Sequence, residues 1–330
     1  MISSQAYIST GRKSGSSPRG SKAGGYVVYS EEETARFLSK ITYTVSAPVI
    51  PDRIDIFSPQ NFSEYVGQAE AKAMAKIMMN AANKESRNLP NIMIISGFGL
   101  GKTTLAKLIL QGVWNGPNGT SAQVMDAASI MPGNLPSSGT VIIDEMHNLK
   151  AEIADSLNQV LDTGKLTIIG CTTNPGMVPV AFRSRFRSIY LEQYSIDDLV
   201  QILTKICARK HVSADRARLV EIAQRSRNNA RSATNNIGFI FDYMISSGVK
   251  LNKSIIELAF SMLGIDKKGY LKRDHKYVEA LFSEKPVGLQ YLASKVGIDA
   301  KTIEEEVEPY LLQNGIIDRT PKGRIKLKDI

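Results

Sequence analysis

The residues best suited to chemistry form a glycine-rich segment of the kind that binds phosphate. Residues 96–104 read Ser-Gly-Phe-Gly-Leu-Gly-Lys-Thr-Thr and follow the apolar run 92–95, which predicts a buried strand. The glycines let the backbone N–H groups point at phosphate oxygens, and the next helix adds its positive dipole end. In this pattern Lys102 contacts the β- and γ-phosphates and Thr103 ligates Mg²⁺. The sequence predicts a nucleoside triphosphate site that includes Gly97, Gly99, Gly101, Lys102, Thr103 and Thr104.

This loop departs from the usual pattern at one position. Ser96 stands where the first glycine of G-x-x-x-x-G-K-[ST] is expected, and Gly97 follows one residue later. An ordinary glycine-rich turn is the alternative interpretation. The strand before the loop and the helix after it favour phosphate binding instead.

Two adjacent carboxylates follow the apolar run 140–143, which predicts a second strand. Asp144 fits a role at Mg²⁺, and Glu145 fits the group that orients and deprotonates an attacking water. Acidic residues also end strands at ordinary surfaces. Their position downstream of a phosphate loop favours hydrolysis of the bound triphosphate, by an ATPase or a GTPase.

The composition supports a folded protein of two or three domains. The chain has 330 residues, of which 43% are hydrophobic. Cys171 and Cys207 show neither metal nor disulfide spacing, which indicates a reducing compartment. With no run of membrane-spanning length and no signal peptide, we expect a cytoplasmic protein without membrane contact. The net charge of +9 suits a polyanionic partner without identifying one.

The order of predicted elements divides the chain into four parts. Residues 1–50 contain a basic stretch rich in Ser, Gly and Ala, 9–25, and we expect a flexible tail and linker. Strands and helices alternate over 51–194, which predicts an α/β domain with a parallel sheet covered on both faces. Residues 195–265 predict a small helical domain. Residues 266–330 predict three helices and a terminal hairpin, the pattern of a winged helix.

Five segments of the chain resemble RuvB, the AAA+ motor family that drives branch migration of Holliday junctions. Residues 62–68 resemble the segment beside the adenine, and 99–106 nearly match the family's phosphate loop. Residues 286–289, 308–313 and 319–324 resemble its winged helix almost letter for letter. Phosphate loops are common, but this C-terminal combination is not. The resemblance implies an AAA+ domain over 51–194, a helical lid and a DNA-binding winged helix.

The resemblance also assigns catalytic roles. Thr173 becomes the sensor of the γ-phosphate or the attacking water, with Asn174 as the neighbouring candidate and a polar strand end as the alternative. Arg185, in preference to Arg183, becomes an arginine finger for the adjacent subunit, where a surface salt bridge is the alternative. Arg231 becomes a contact to ATP within the same subunit.

Tyr65 and Val66 belong to the segment that resembles the adenine contact, and Tyr194 either lines the same pocket or is a core aromatic. The resemblance implies ATP rather than GTP, with Mg²⁺. An arginine finger requires a site at a subunit interface, so we expect a ring of identical chains, a hexamer in the RuvB family.

The terminal hairpin concentrates positive charge. Arg319, Lys322 and Arg324 lie there with two further lysines and no acid between them, whereas the preceding helix carries four glutamates. We therefore expect the wing to bind the phosphate backbone of double-stranded or junction DNA without reading sequence. A solvated hairpin that binds protein is the alternative.

The chain lacks one family feature. RuvB proteins insert a β-hairpin that engages RuvA before the sensor strand, but only residues 163–165 are available here. This argues against a RuvA-type recruiter and indicates a divergent member, from a bacterium, a virus or a mobile element. The first functional hypothesis is an ATP-driven motor that translocates duplex DNA. The second is an ATP-switched loader or assembly factor for a replication protein, which the missing hairpin favours.

Overall fold

The computed structural model describes residues 56–112 and 123–330, which form two compact units. The first unit comprises the described residues up to His211 together with Asn228–Thr234. The second comprises Val212–Arg227 and Asn235–Ile330. The predicted basic tail lies outside the described residues.

The first unit is built on a five-stranded parallel sheet with the order β2-β3-β4-β1-β5. The strands are β1 Ile92–Ile95, β2 Gln123–Asp126, β3 Gly139–Asp144, β4 Leu166–Thr172 and β5 Arg187–Tyr190. Strand β4 lies between β1 and β3, so the ends of the phosphate-loop strand and of the Asp144 strand flank the end of β4. The predicted α/β architecture is confirmed.

Alternate residues of the central strands enter two separate cores. Ile92 and Ile94 pack in one core with α1 Ala69–Lys84 and α2 Lys102–Gln111. Met93 and Ile95 pack in the other core with α3 Ala151–Asp162 and α4 Val180–Arg183. Because successive side chains of a strand point to opposite faces, this division shows that both faces of the sheet are covered. The last helix of this unit, α5 Ile196–Arg209, begins at a capping box formed by Ser195 and Asp198.

The link between α3 and β4 is short. Helix α3 ends at Asp162 and β4 begins at Leu166, so the described residues 163–165 form only a turn. The predicted absence of an inserted hairpin at this point is confirmed. No helix within residues 56–112 and 123–330 is both long and apolar enough to cross a membrane.

The second unit contains helices followed by a small hairpin. Its first helices are α6 Arg216–Gln224, α7 Ala230–Ser247, which begins in the first unit, and α8 Lys253–Leu263. The winged helix follows with α9 Lys272–Glu279, α10 Leu289–Val296, α11 Ala300–Thr302, a π-helical turn Ile303–Val307, α12 Glu308–Gln313, β6 Ile317–Thr320 and β7 Gly323–Lys326. The third predicted helix is thus interrupted by the π turn, while the antiparallel hairpin is as predicted.

Candidate functional site

Most of the predicted nucleotide-binding residues line one cavity of about 330 Å³ in the first unit. The predicted residues around it are Tyr65, Val66, Gly99, Gly101, Lys102, Thr103, Thr104, Asp144, Glu145, Tyr194 and Arg231. Gly97, Thr173 and Arg185 are not among its lining residues. Sequence reasoning missed Phe57, Ile202 and Arg209, which also line it and belong to no phosphate-binding motif.

The phosphate loop runs from the end of β1 to the start of α2 and needs glycine at two positions. Gly99 and Gly101 have φ of +71° and +92°, the left-handed region that glycine adopts without steric cost. A Cβ on Gly99 would come within 2.3 Å of Asn229 Oδ1, and one on Gly101 within 2.9 Å of the Tyr65 hydroxyl. These positions therefore require glycine for both conformation and space.

Lys102 is buried at the first position of α2. Its ammonium donates to the carbonyl oxygens of Ser96 at 3.2 Å and Gly97 at 3.0 Å, so the side chain lies along the loop. Burial lowers the pKa of Lys102, while the charges of Glu145 and Asp144 oppose that shift. A bound phosphate would give the Lys102 ammonium a negatively charged partner, for which the neutral loop carbonyls are only a partial substitute.

Thr103 and Asp144 form the best candidate for a Mg²⁺ site. The Thr103 hydroxyl donates to Asp144 Oδ2 at 2.8 Å, and the Glu145 backbone N–H donates to Oδ1 at 3.1 Å. Two neutral or anionic oxygen ligands beside a phosphate loop fit Mg²⁺, which completes its shell with water and substrate phosphates. Within the described residues, no group of three or more His, Cys, Asp or Glu side chains could hold a metal by itself.

Glu145 follows β3 in a left-handed conformation, with φ 48° and ψ 46°. Among the described residues its Oε2 atom is buried without a hydrogen-bond partner, as is Thr173 Oγ1 at the end of β4. His147 Nδ1 lies 3.4 Å from Glu145 Oε2 and 3.2 Å from Thr172 Oγ1. Sequence reasoning assigned no role to His147, although its place two residues after Glu145 was a usable signal.

The two tyrosines contact the phosphate loop directly. Tyr65 donates to the Gly101 carbonyl and Tyr194 to the Leu100 carbonyl, each at 3.3 Å. Burial raises the pKa of both phenols above the usual value, so both remain neutral donors at physiological pH. Tyr194 is thus both a buried aromatic and a cavity residue, and the two interpretations of it are compatible.

The segment before α7 reaches the same loop. The Asn229 side-chain amide donates to the Phe98 carbonyl at 2.6 Å, and the Arg231 backbone N–H donates to the Gly99 carbonyl at 3.2 Å. The exposed Arg231 side chain lines the cavity. Asn229 was not predicted as a site residue, yet it holds the loop at the position where glycine is required.

The two arginines proposed for the finger differ in their contacts. Arg183 donates to the Pro175 carbonyl at 2.8 Å, which anchors it to its own chain. Arg185 is exposed and donates through both terminal guanidinium nitrogens, Nη1 and Nη2, to Asp162 at the end of α3. An exposed pair of this kind contributes little stability and can be exchanged for another anion.

Two family models match the chain in the regions just described and in the C-terminal unit. The Holliday junction DNA helicase RuvB P-loop domain matches residues 57–166, and the RuvB C-terminal winged helix domain matches residues 267–327. Together these ranges span just over half of the chain. The chain belongs to the RuvB family.

Solved structures agree with this assignment. The Thermotoga maritima RuvB Holliday junction branch migration motor is 28% identical, with a TM-score of 0.74, and the match covers 83% of this chain and 96% of that one. A mutant of the same protein matches with 27% identity, the same coverages and a TM-score of 0.75. Domain III of Thermotoga maritima DnaA shares only the fold, with 20% identity, a TM-score of 0.50 and coverages of 64% and 97%.

The wing of this RuvB-family chain is held by a buried carboxylate. Glu308 is fully buried and accepts from Arg319 Nε at 2.6 Å, Arg324 Nε at 2.9 Å and the Tyr277 hydroxyl at 2.6 Å. Arg324 also donates to Glu304 at 2.8 Å. Two of the three predicted DNA contacts are therefore already engaged in ion pairs, and Glu308 is buried rather than exposed to solvent.

Lys322 has a different environment. It is exposed in the turn between β6 and β7, and within the described part of the chain its ammonium has no ionic partner. Lys326 pairs with Asp329 at 3.0 Å. Of the predicted wing contacts, Lys322 is the one whose charge is directed to solvent.

Proposed function

We propose that this chain is an ATP-driven DNA motor of RuvB type, which translocates duplex DNA and drives branch migration at Holliday junctions or related recombination and replication intermediates. The observation that carries the proposal is the joint presence of a cavity at the phosphate loop and a RuvB-type winged helix in one chain. Such a protein acts where DNA is handled, in the cytoplasm of a bacterium or of a phage-infected host.

The residues of the cavity support ATP hydrolysis by a direct route. The loop N–H groups and Lys102 would bind the phosphates, and Arg231 would contact them from the start of α7. Thr103 and Asp144 would hold Mg²⁺, which supplies charge neutralisation at the transferring phosphoryl group. Glu145 would take a proton from the attacking water, and Thr173 would sense the γ-phosphate.

Ring assembly follows from the proposed role of Arg185. Its guanidinium does not line the cavity of its own chain, so it would complete the site of an adjacent subunit. A closed ring of identical chains gives every site such a partner, and six is the number that we propose. DNA would be bound through its phosphate backbone, with Lys322 as an exposed wing cation and Arg319 and Arg324 as further contacts.

A second function is favoured by one observation, the short link at residues 163–165. Without the inserted hairpin a RuvA-type recruiter is disfavoured, and the chain would then act as an ATP-switched loader or assembly factor for a replication protein. A motor hydrolyses ATP many times for each DNA molecule, whereas a loader does so few times.

The test is strand displacement on a synthetic four-way junction with ATP, Mg²⁺ and no accessory protein. We expect the wild type to separate the junction into forked duplexes, and Lys102→Ala and Glu145→Gln to leave it intact. Steady ATP hydrolysis with an intact junction would reject autonomous branch migration and favour the loader.

A further inference from the structure

We propose that His147 is a positioning residue, which holds the Glu145 carboxylate and connects it to the end of β4. The inference deepens the proposed ATP hydrolysis and rests on it. His147 Nδ1 lies between Glu145 Oε2 and Thr172 Oγ1, at 3.4 Å and 3.2 Å, and only 11% of the His147 side chain is exposed. The imidazole is therefore fixed between the two groups rather than solvated.

Glu145 needs such a support because the strand does not orient it. The residue leaves β3 with φ 48°, and its Oε2 atom has no hydrogen-bond partner among the described residues. A buried carboxylate oxygen without a hydrogen bond is costly and free to turn within the cavity. A single N–H donor at its edge would stabilise one orientation.

The turn that carries Glu145 and His147 is seated tightly on β4. Met146 is fully buried between them and packs over Gly170. A Cβ on Gly170 would lie 2.3 Å from Met146 Sδ, so the close approach depends on glycine at this position of the strand. This packing keeps the His147 ring opposite Thr172 while leaving the Glu145 carboxylate in the cavity.

Nδ1 can serve only one of its two neighbours at a time. As an N–H it donates to Glu145 or to Thr172, and as a lone pair it accepts from the Thr172 hydroxyl and gives Glu145 nothing. Thr172 Oγ1 also accepts from the Asn174 backbone N–H at 3.2 Å, beside the proposed sensor Thr173. A shift of Thr173 and Asn174 would therefore change whether His147 contacts Glu145 or Thr172. The position of the Glu145 carboxylate would change with it.

The test compares three substitutions by steady-state ATP hydrolysis and by binding of a fluorescent ATP analogue. In His147→Asn an amide nitrogen can occupy the place of Nδ1, in His147→Gln it lies near the place of Nε2, and His147→Leu has no donor. We expect His147→Leu and His147→Gln to lower kcat about 10- to 100-fold, the value of one hydrogen bond to a charged group. His147→Asn should recover most of that loss, and nucleotide affinity should change by less than about threefold in all three.

A double-mutant cycle with Thr172→Val tests the connection to β4, with Thr172→Ser as the control that keeps the hydroxyl. The combined His147→Leu and Thr172→Val variant should be no slower than His147→Leu alone, because the two residues act through one contact. Equal kcat for the Asn and Leu variants, a parallel loss of nucleotide affinity, or additive effects in the cycle would each overturn the proposal. A wild type that hydrolyses ATP without moving junctions would reject the motor and leave the His147 result valid, whereas a wild type without ATP hydrolysis would reject both.

Discussion

The nucleotide cavity and the wing both gather charged side chains, but they satisfy them differently. In the first unit, Glu145 Oε2 at the cavity and Thr173 Oγ1 just after β4 are buried without hydrogen bonds among the described residues. In the wing, the fully buried Glu308 has three hydrogen-bonding partners, two of them arginines. Because an unsatisfied buried polar group costs free energy, its persistence indicates a group kept ready for a ligand. A fully satisfied cluster of the same size indicates a structural device.

Arg185 gives the strongest test of this distinction, because it forms an ion pair and is nevertheless proposed to be catalytic. We expect Arg185→Ala to lower kcat at least about 10³-fold, the effect of losing an arginine finger, with little change in stability. Asp162→Ala, which removes the partner, should leave kcat nearly unchanged. Mixing Arg185→Ala with Glu145→Gln subunits should restore partial ATP hydrolysis, since some interfaces then combine two intact halves. Recovery of no activity in any mixing ratio would place Arg185 outside the site.

Glu308 should behave as a structural residue. Replacing it by Ala leaves Arg319, Arg324 and the Tyr277 hydroxyl without their common partner, and we expect a loss of about 3–5 kcal/mol in the free energy of unfolding of the winged helix. Glu305→Ala, which removes an exposed pair with Lys301 at 3.8 Å, should cost less than about 0.5 kcal/mol. Urea denaturation of both variants gives the comparison, and equal midpoints would show that the buried network contributes no stability.

The same network predicts that the winged helix loses stability at acidic pH. Burial raises the pKa of Glu308, but the hydrogen bonds from Arg324 and Tyr277 and the two arginine charges outweigh burial and hold the pKa below its usual value. A depressed folded pKa contributes stability above the unfolded value, and that stability is lost as pH falls through the folded pKa. Unfolding of the winged helix should therefore become easier on acidification below about pH 4.5, and Glu308→Gln should remove this dependence. Thermal melts between pH 3 and 7 measure it.

The sequence predicted the fold well because its signals were local. The strand–loop–helix pattern at 92–111 and the hairpin around Lys322 each depend on neighbours along the chain. The π turn at Ile303–Val307 was not predictable, since helical periodicity alone does not register one extra residue in a turn.

The site was predicted less completely because it depends on contacts between distant segments. Asn229 reaches the Phe98 carbonyl across 131 positions of sequence, and no spacing rule connects them. The pairing of Arg319 and Arg324 with Glu308 likewise could not be read from composition, which only contrasted the hairpin cations with the four glutamates of the preceding helix. Counting charges along the sequence gives the sign of the net charge of each segment, but only the structure shows which charged side chains form ion pairs.

A substitution at Lys322 allows DNA binding by the wing to be tested separately from the stability of the wing. Lys322 has no ionic partner among the described residues and should contribute one phosphate contact, so Lys322→Ala should weaken duplex binding about fivefold at 0.15 M salt and reduce the salt slope by about 1. Arg324→Ala should instead lower the stability of the winged helix, because Glu308 and Glu304 lose a donor. Lys301→Ala, on an exposed helix of the same domain, is the control. Equal affinity of the Lys322 and Lys301 variants would move the DNA contact off the wing.

The smallest expected effect is at Tyr194, which belongs to the cavity but is fully satisfied. Tyr194→Phe removes the hydroxyl that donates to the Leu100 carbonyl at 3.3 Å and keeps the buried ring. We expect a loss of about 1 kcal/mol, seen as a rise of about fivefold in the KM for ATP with kcat nearly constant, because the phosphate loop is held less firmly in both ground and transition states. Tyr243→Phe, in a buried phenol of the second unit, is the matched control and should leave KM unchanged. A fall in kcat without a change in KM would instead give Tyr194 a role in the hydrolytic step. The cavity would then contain both structural groups with satisfied hydrogen bonds and groups kept ready for a ligand.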